Sequence, residues 1–171
     1  MVAAAFFLAP LACGGAPVSK TFHGDDYSFA YPGNWTELGK QPEEGPRVDV
    51  AVGPIADFDL VSVSHETGPT AFTEASLAAS EGEIAAQARD LANDLEGGKV
   101  TARPKMRRLA GLPGYEAEVA GELEGSPLRM LVRWAWDGRT QYQVNCQFSD
   151  SDLEQVMKRG CEQILSSFRV E

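Results

Sequence analysis

Two histidines, His23 and His65, are the only imidazoles in the 171 residues, so any histidine chemistry must use one of them. His23 stands beside Asp25 and Asp26 in "HGDDY". Three oxygen or nitrogen donors in one loop arise commonly by chance, and no metal is expected there. His65 lies in "SVSHE" and continues the face of Val61 and Val63 at a strand end. A hydrogen-bonded structural role is expected, with a hydrolase built on His65 as the catalytic alternative. "SVSHE" lacks the flanking glycines and the strand-to-helix turn of a nucleophile elbow. The Gly97-Gly98 pair ends a helix rather than starting one, so it is not a phosphate loop. Glu116, Glu118, Glu122 and Glu124 sit on an outward strand face, where solvation is expected rather than acid–base pairing. No catalytic residue, cofactor or metal is therefore expected, and the chain reads as a non-enzyme.

The three cysteines speak of export. Cys146 and Cys161 are 15 residues apart, and in an exported chain they should form a disulfide. Closing a loop that short contributes roughly 3 kcal/mol in the chain-entropy model. No histidine or further cysteine lies nearby to complete a tetrahedral metal set. The N-terminus reads "MVAAAFFLAPLACGG". Its apolar run is too short to span a bilayer and has the length of a signal-peptide core. Cys13 follows, then Gly14 and Gly15. This resembles the lipobox of bacterial lipoproteins, which implies cleavage after residue 12 and lipidation of Cys13. An ordinary cleaved signal ending at Gly-Gly-Ala and a buried first strand are the alternatives. The expected organisation is a signal peptide at 1–12, an anchor and short tether at 13–21, and one domain at 22–171.

The formal net charge of −10 and the low isoelectric point exclude nucleic acid as a main partner, because phosphate binding needs a basic surface. Against that background Lys99, Arg103, Lys105, Arg107 and Arg108 form a basic stripe. Pro104 within it marks an edge strand, where basic residues block unwanted pairing. A docking stripe for an anionic group is the alternative reading.

Strand signals dominate the first third. Residues 27–31 alternate rings with small residues, 47–52 place Val48, Val50 and Val52 on one face, and 60–66 follow the same pattern. The period then becomes helical. Ser80 and Glu83 read as a capping box, Ile84, Ala88, Leu91 and Leu95 as one stripe, and Gly97-Gly98 as the stop. Residues 115–123 and 128–136 read as a hairpin turning at Gly125-Ser126. That register sets Val119 against Val132, Ala117 against Trp134, Glu118 against Arg133 and Glu122 against Arg129. A three-residue loop at 137–139 would then set Trp134 against Tyr142 and Met130 against Cys146. Leu153, Met157, Cys161, Ile164 and Phe168 form the stripe of a last helix, pinned by the disulfide to the last strand. The rings Tyr27, Phe29 and Tyr31 should fill a core with Trp134, Trp136 and Tyr142. The opposite sheet face would carry Arg129, Arg133, Gln141 and Gln143; with Lys105 and Arg107 these form the candidate docking surface.

"YSFAYPGNW", the hairpin, the strand carrying Cys146 and the helix ending in "ILSSF" together resemble PsbP-like domains. These include the extrinsic photosystem II protein; a eukaryotic Ran-binding protein shares the fold, and a set of bacterial lipoproteins resembles them too. The resemblance implies an α+β fold: an antiparallel sheet of about six to seven strands packed with helices as an α/β/α sandwich. It implies no catalytic residues. The leading expectation is a lipid-anchored binding or assembly module that docks another envelope protein. The second is a carrier of a small apolar or lipid ligand, held between sheet and C-terminal helix near Trp134, Trp136 and Tyr142.

Overall fold

The computed structural model describes residues 18–38, 48–54, 58–149 and 152–171. The expected signal segment, Cys13, most of the tether and Arg47 lie outside the described residues. Ten strands and three helices follow in order: β1 (Lys20–His23), β2 (Tyr27–Tyr31), β3 (Thr36–Glu37), β4 (Val50–Gly53), β5 (Val61–Thr67), α1 (Glu74–Ala79), α2 (Glu81–Asn93), β6 (Glu96–Met106), β7 (Gly114–Leu123), β8 (Ser126–Asp137), β9 (Thr140–Ser149), α3 (Glu154–Ser167) and β10 (Arg169–Val170). Seven strands make one antiparallel sheet in the order β3-β4-β5-β9-β8-β7-β6, and β1-β2-β10 make a second. This is the expected α+β architecture, with the small second sheet added.

The order of apolar residues on the central strands decides the layering. On β8, Leu128, Met130, Val132, Trp134 and Trp136 point to one face, with Ile84, Ala88 and Ala92 of α2 and Leu77 of α1 against them. On β9, Tyr142, Val144, Cys146 and Phe148 point to the other face, against Met157, Cys161 and Ile164 of α3 and the rings of β2. The expected single apolar face is therefore corrected to two. Tyr27, Phe29 and Tyr31 are core residues, 1–3% exposed, but they pack with Tyr142 and Phe168 and not with Trp134 or Trp136. The sheet itself separates Trp134 from Tyr142. Between sheet and C-terminal helix, where the carrier reading placed its ligand, Tyr142, Cys146, Met157, Cys161 and Ile164 are 0–3% exposed and already in contact.

Both hairpins turn elsewhere than expected. Leu123 pairs with Ser126, so the first turn is Glu124-Gly125, and both residues have positive φ (52° and 76°). A two-residue turn of this hand matches the twist of the strands it joins. The pairing moves by two residues: Ala117 faces Val132, Tyr115 faces Trp134 and Glu116 faces Arg133, while Glu122 meets Pro127. The second turn is Gly138-Arg139, two residues rather than three, with Asp137 paired to Thr140. Trp134 consequently faces Gln143 and Val132 faces Asn145.

A further helix, α1, precedes the one expected helix, and that helix, α2, starts and stops differently. The capping box belongs to Thr73 and Ser76, whose side chains each accept from the other's backbone N–H at the start of α1. Ser80 turns its hydroxyl back to donate to the Ser76 carbonyl, and α2 begins without a side-chain cap. α2 ends at Asn93, and Gly97-Gly98 already belong to β6. A Cβ on Gly98 would lie 1.8 Å from the Ala92 carbonyl oxygen, so glycine permits β6 to start under the helix end. β6 is the sheet edge that Pro104 marks, and its pairing with β7 shifts register three times.

α3 is held down twice. Cys146 and Cys161 are bonded, as the spacing suggested. One position earlier, Gly160 lies under fully buried Trp35, and a Cβ there would fall 2.1 Å from Trp35 Cη2. Gly160→Ala should therefore lose stability despite alanine's better helix propensity, because overpacking outweighs it, for a net of about 2 kcal/mol. Urea unfolding with a lower midpoint and an unchanged slope is the expected readout.

Candidate functional site

α3 rests on β2 and β9, while α2 covers β6 and β7 from the opposite side. The α3-side surface of β7 and β8 is left open beside the helix. A groove of about 440 Å³ forms there, with Leu131, Phe148 and Leu165 as its apolar floor and Glu116, Arg133 and Lys158 among its polar walls.

Glu116 is the centre of its charges. Its position on β7 aims it to this side, and it is only 6% exposed. Arg133 Nη2, from the paired residue on β8, donates to Glu116 Oε2. Lys105 Nζ lies 3.2 Å and Arg107 Nε 3.8 Å from Oε1. Burial alone would raise the Glu116 pKa. The hydrogen bond and charge of Arg133, followed by those of Lys105, outweigh it and hold the carboxyl below its usual range. A second cluster stands at the helix start, where Glu154 Oε1 receives Arg129 Nη2 at 2.8 Å and Lys158 Nζ at 2.6 Å. Arg133 Nε, next to the first cluster, is buried without a hydrogen-bond partner.

The candidate docking surface is thus divided. Arg129, Arg133, Lys105 and Arg107 share the α3 side of the sheet. Gln141 and Gln143 lie on the α2 side, and Gln143 Oε1 accepts from Trp134 Nε1 at 2.9 Å. The shorter second turn rotates β9 by one residue relative to the expected pairing, and that exchanges the faces of its glutamines and its apolar residues. Glu116 is corrected from a solvated outward residue to a buried ion-pair centre. The sequence did not single it out, because the pairing expected there set Glu118, not Glu116, opposite Arg133. The basic stripe also divides, since Arg108 leaves this cluster to pair with Glu74 of α1 at 2.8 Å.

His65 is hydrogen-bonded, as expected. Its backbone N–H donates to Asp49 Oδ2 at 2.9 Å, and its Nδ1 lies 2.6 Å from the same oxygen. Asp49 was missed because "VDV" reads as an ordinary outward position between two valines. Among the described residues no group of three or more His, Cys, Asp or Glu is arranged to hold a metal ion.

No family model matches the chain, and no curated protein matches it. Solved structures do. The solution structure of cyanobacterial PsbP (CyanoP) from Synechocystis sp. PCC 6803 superposes with a TM-score of 0.66, covering 96% of this chain and 99% of that one. The fold is PsbP-like. The identity to CyanoP is 17%, so it is the fold that is shared. LpqN, a protein involved in cell envelope biogenesis of Mycobacterium tuberculosis, has the same PsbP-like arrangement at a TM-score of 0.56 and 12% identity, covering 92% of this chain and 87% of that one. A protein from Bacteroides thetaiotaomicron matches at a TM-score of 0.55 and 13% identity, with 89% of this chain on 48% of the other.

The Glu116 cluster makes a pH prediction. Its folded pKa lies below the unfolded value, so the stabilisation is complete above about pH 4.3 and fades as the pH falls through the folded pKa. Glu116→Gln should cost about 2 kcal/mol at neutral pH, less than a fully buried pair because Arg133 keeps some solvent. Denaturation curves collected down the acid range should show a shallower loss of stability in the variant than in the parent.

Proposed function

We propose that this chain is an exported, lipid-anchored, non-enzymatic binding or assembly module of the cell envelope. It docks another envelope protein through the groove beside α3. The observation that carries this reading is the groove itself. It is an open, apolar-floored channel whose cationic walls are fixed in place by two carboxylates, Glu116 and Glu154. Preformed side chains of this kind lose little freedom on binding, which favours recognition. Arginines at the rim of an apolar floor are the residue types that anchor protein interfaces. LpqN's involvement in cell envelope biogenesis and the signal-like N-terminus support the envelope location. Membrane attachment runs through Cys13.

Two measurements test this. A photocrosslinking residue at Arg129, half-exposed in the groove wall, or at Lys105, half-exposed and paired with the groove's Glu116, should yield one discrete adduct in cells, identified by mass spectrometry as an exported protein. The same residue at Arg89, exposed on α2, should yield none. Equal adducts at all three positions, or none at the groove, would reject the docking site. Intact mass of the native protein should show a diacylglyceryl-modified Cys13 as the first residue. A mature chain starting near Pro17 would remove the anchor from the proposal and leave the groove untouched.

A further inference from the structure

Leu128, Met130, Val132 and Trp134 of β8 are buried against α1 and α2, while Arg129, Leu131 and Arg133 between them face the α3 side. Alternate residues of a strand stand about 7 Å apart, so the two arginines are about 13 Å apart with the leucine midway. Each end of this row holds more positive than negative charge. At one end Arg129 Nη2 and Lys158 Nζ share a single oxygen of Glu154, at 2.8 and 2.6 Å. At the other, Arg133, Lys105 and Arg107 converge on Glu116. One carboxylate thus answers two cations in the first cluster and three in the second.

The middle of the row is different. Leu131 lies there with Phe148 and Leu165, and Glu118 is the residue paired with it on β7. Glu118 and Glu162 are the remaining acidic residues of the lining. Even with both counted, cations outnumber carboxylates here, on a chain whose net charge is −10. Negative charge is therefore favoured over the two ends of the groove and disfavoured over its middle, which offers apolar surface instead. An extended peptide repeats its side chains with the same period as β8. Acidic residues at i and i+4 with an apolar residue at i+2 would lay one side chain on each feature of the row. A volume of about 440 Å³ takes side chains of this kind rather than a helix, which is about 10–12 Å across.

We propose that the partner segment seated in this groove is extended and reads acidic-x-apolar-x-acidic. One carboxylate is held by Arg129 and Lys158, and the other by Arg133 and the half-exposed Lys105 beside it. The apolar side chain lies on Leu131, Phe148 and Leu165. This rests on the docking reading above and adds to it what the partner must carry.

The test is an NMR titration of the whole protein with the end-blocked peptide Ser-Glu-Thr-Leu-Thr-Glu-Ser. Saturable binding with a Kd below about 1 mM is expected. Replacing either glutamate by glutamine, or rearranging the peptide to Ser-Glu-Glu-Leu-Thr-Thr-Ser, should weaken binding at least about fivefold. Arg129→Gln and Lys158→Gln should each do the same, and both side chains are half-exposed, so the fold survives their loss. Shifts that never saturate, equal binding of the altered peptides, or unchanged binding by both variants would overturn the proposal. Hexanoate, with one charge and one tail, should bind at least about tenfold more weakly, having lost one charge-assisted contact. Equal affinity would overturn the proposal in favour of a site for small amphiphilic anions. Crosslinking in cells decides the docking reading separately. A discrete adduct at Arg129 without peptide binding sinks the motif and leaves the docking, whereas peptide binding without an adduct upholds the groove's preference and sinks the docking.

Discussion

Strands β8 and β9 lie side by side in the middle of the seven-stranded sheet, and their large apolar residues point in opposite directions. β8 sends two tryptophans toward α1 and α2. β9 sends Tyr142, Val144 and Cys146 toward α3. A sheet with one apolar face can leave the other in water, but this one must be covered on both sides. Each layer then has its own sequence requirement. The α2 layer needs Gly98 for the helix end to meet the sheet. The α3 layer needs Gly160 for the helix to pass Trp35, and it recruits the aromatic strand β2 to fill the remaining area.

Covering both faces with short helices leaves part of the sheet bare, and the bare part falls where α3 and α2 are on opposite sides. The protein handles this uncovered patch with charge. Glu116 would be costly so deep in the surface without partners, and Arg133, Lys105 and Arg107 converge on it from three directions. The result is a rigid polar wall over an apolar floor. Lys105 comes from edge strand β6 and Arg107 from just past its end, so residues that guard the sheet edge also hold the groove's Glu116 in place.

Much of this was legible in the residues. Alternation located β2, β5, β7, β8 and β9, helical spacing located α2 and α3, and cysteine spacing gave the bond between β9 and α3. What alternation cannot see is a shift of two residues, which leaves every side chain on its own face. Charge pairing had to choose the first hairpin's register, and Glu118 with Arg133 looked as good as Glu116 with Arg133. The second hairpin failed for another reason. Matching Trp134 to Tyr142 assumes that all rings share one core, and Trp134 and Tyr142 belong to different ones. The division of the arginines from Gln141 and Gln143 follows from that single assumption. Asp49 escaped notice because its partner, His65, is joined to it only by the tertiary pairing of β4's approach with β5.

The small sheet joins the first and last described strands. β2, near the start, pairs with β1 on one side and with β10, the last strand, on the other, and Ser167 at the end of α3 accepts from the Ala30 N–H. A ribosome makes residue 28 long before its partner, Arg169. Until residues 168–170 have emerged, β2 lacks its β10 neighbour, Phe168 is missing from the ring cluster, and the core over β9 stays open. Closure is thus a late and long-range event, the slow kind in folding. The segment from Phe168 to Val170 is thus the latch that closes the core over β9.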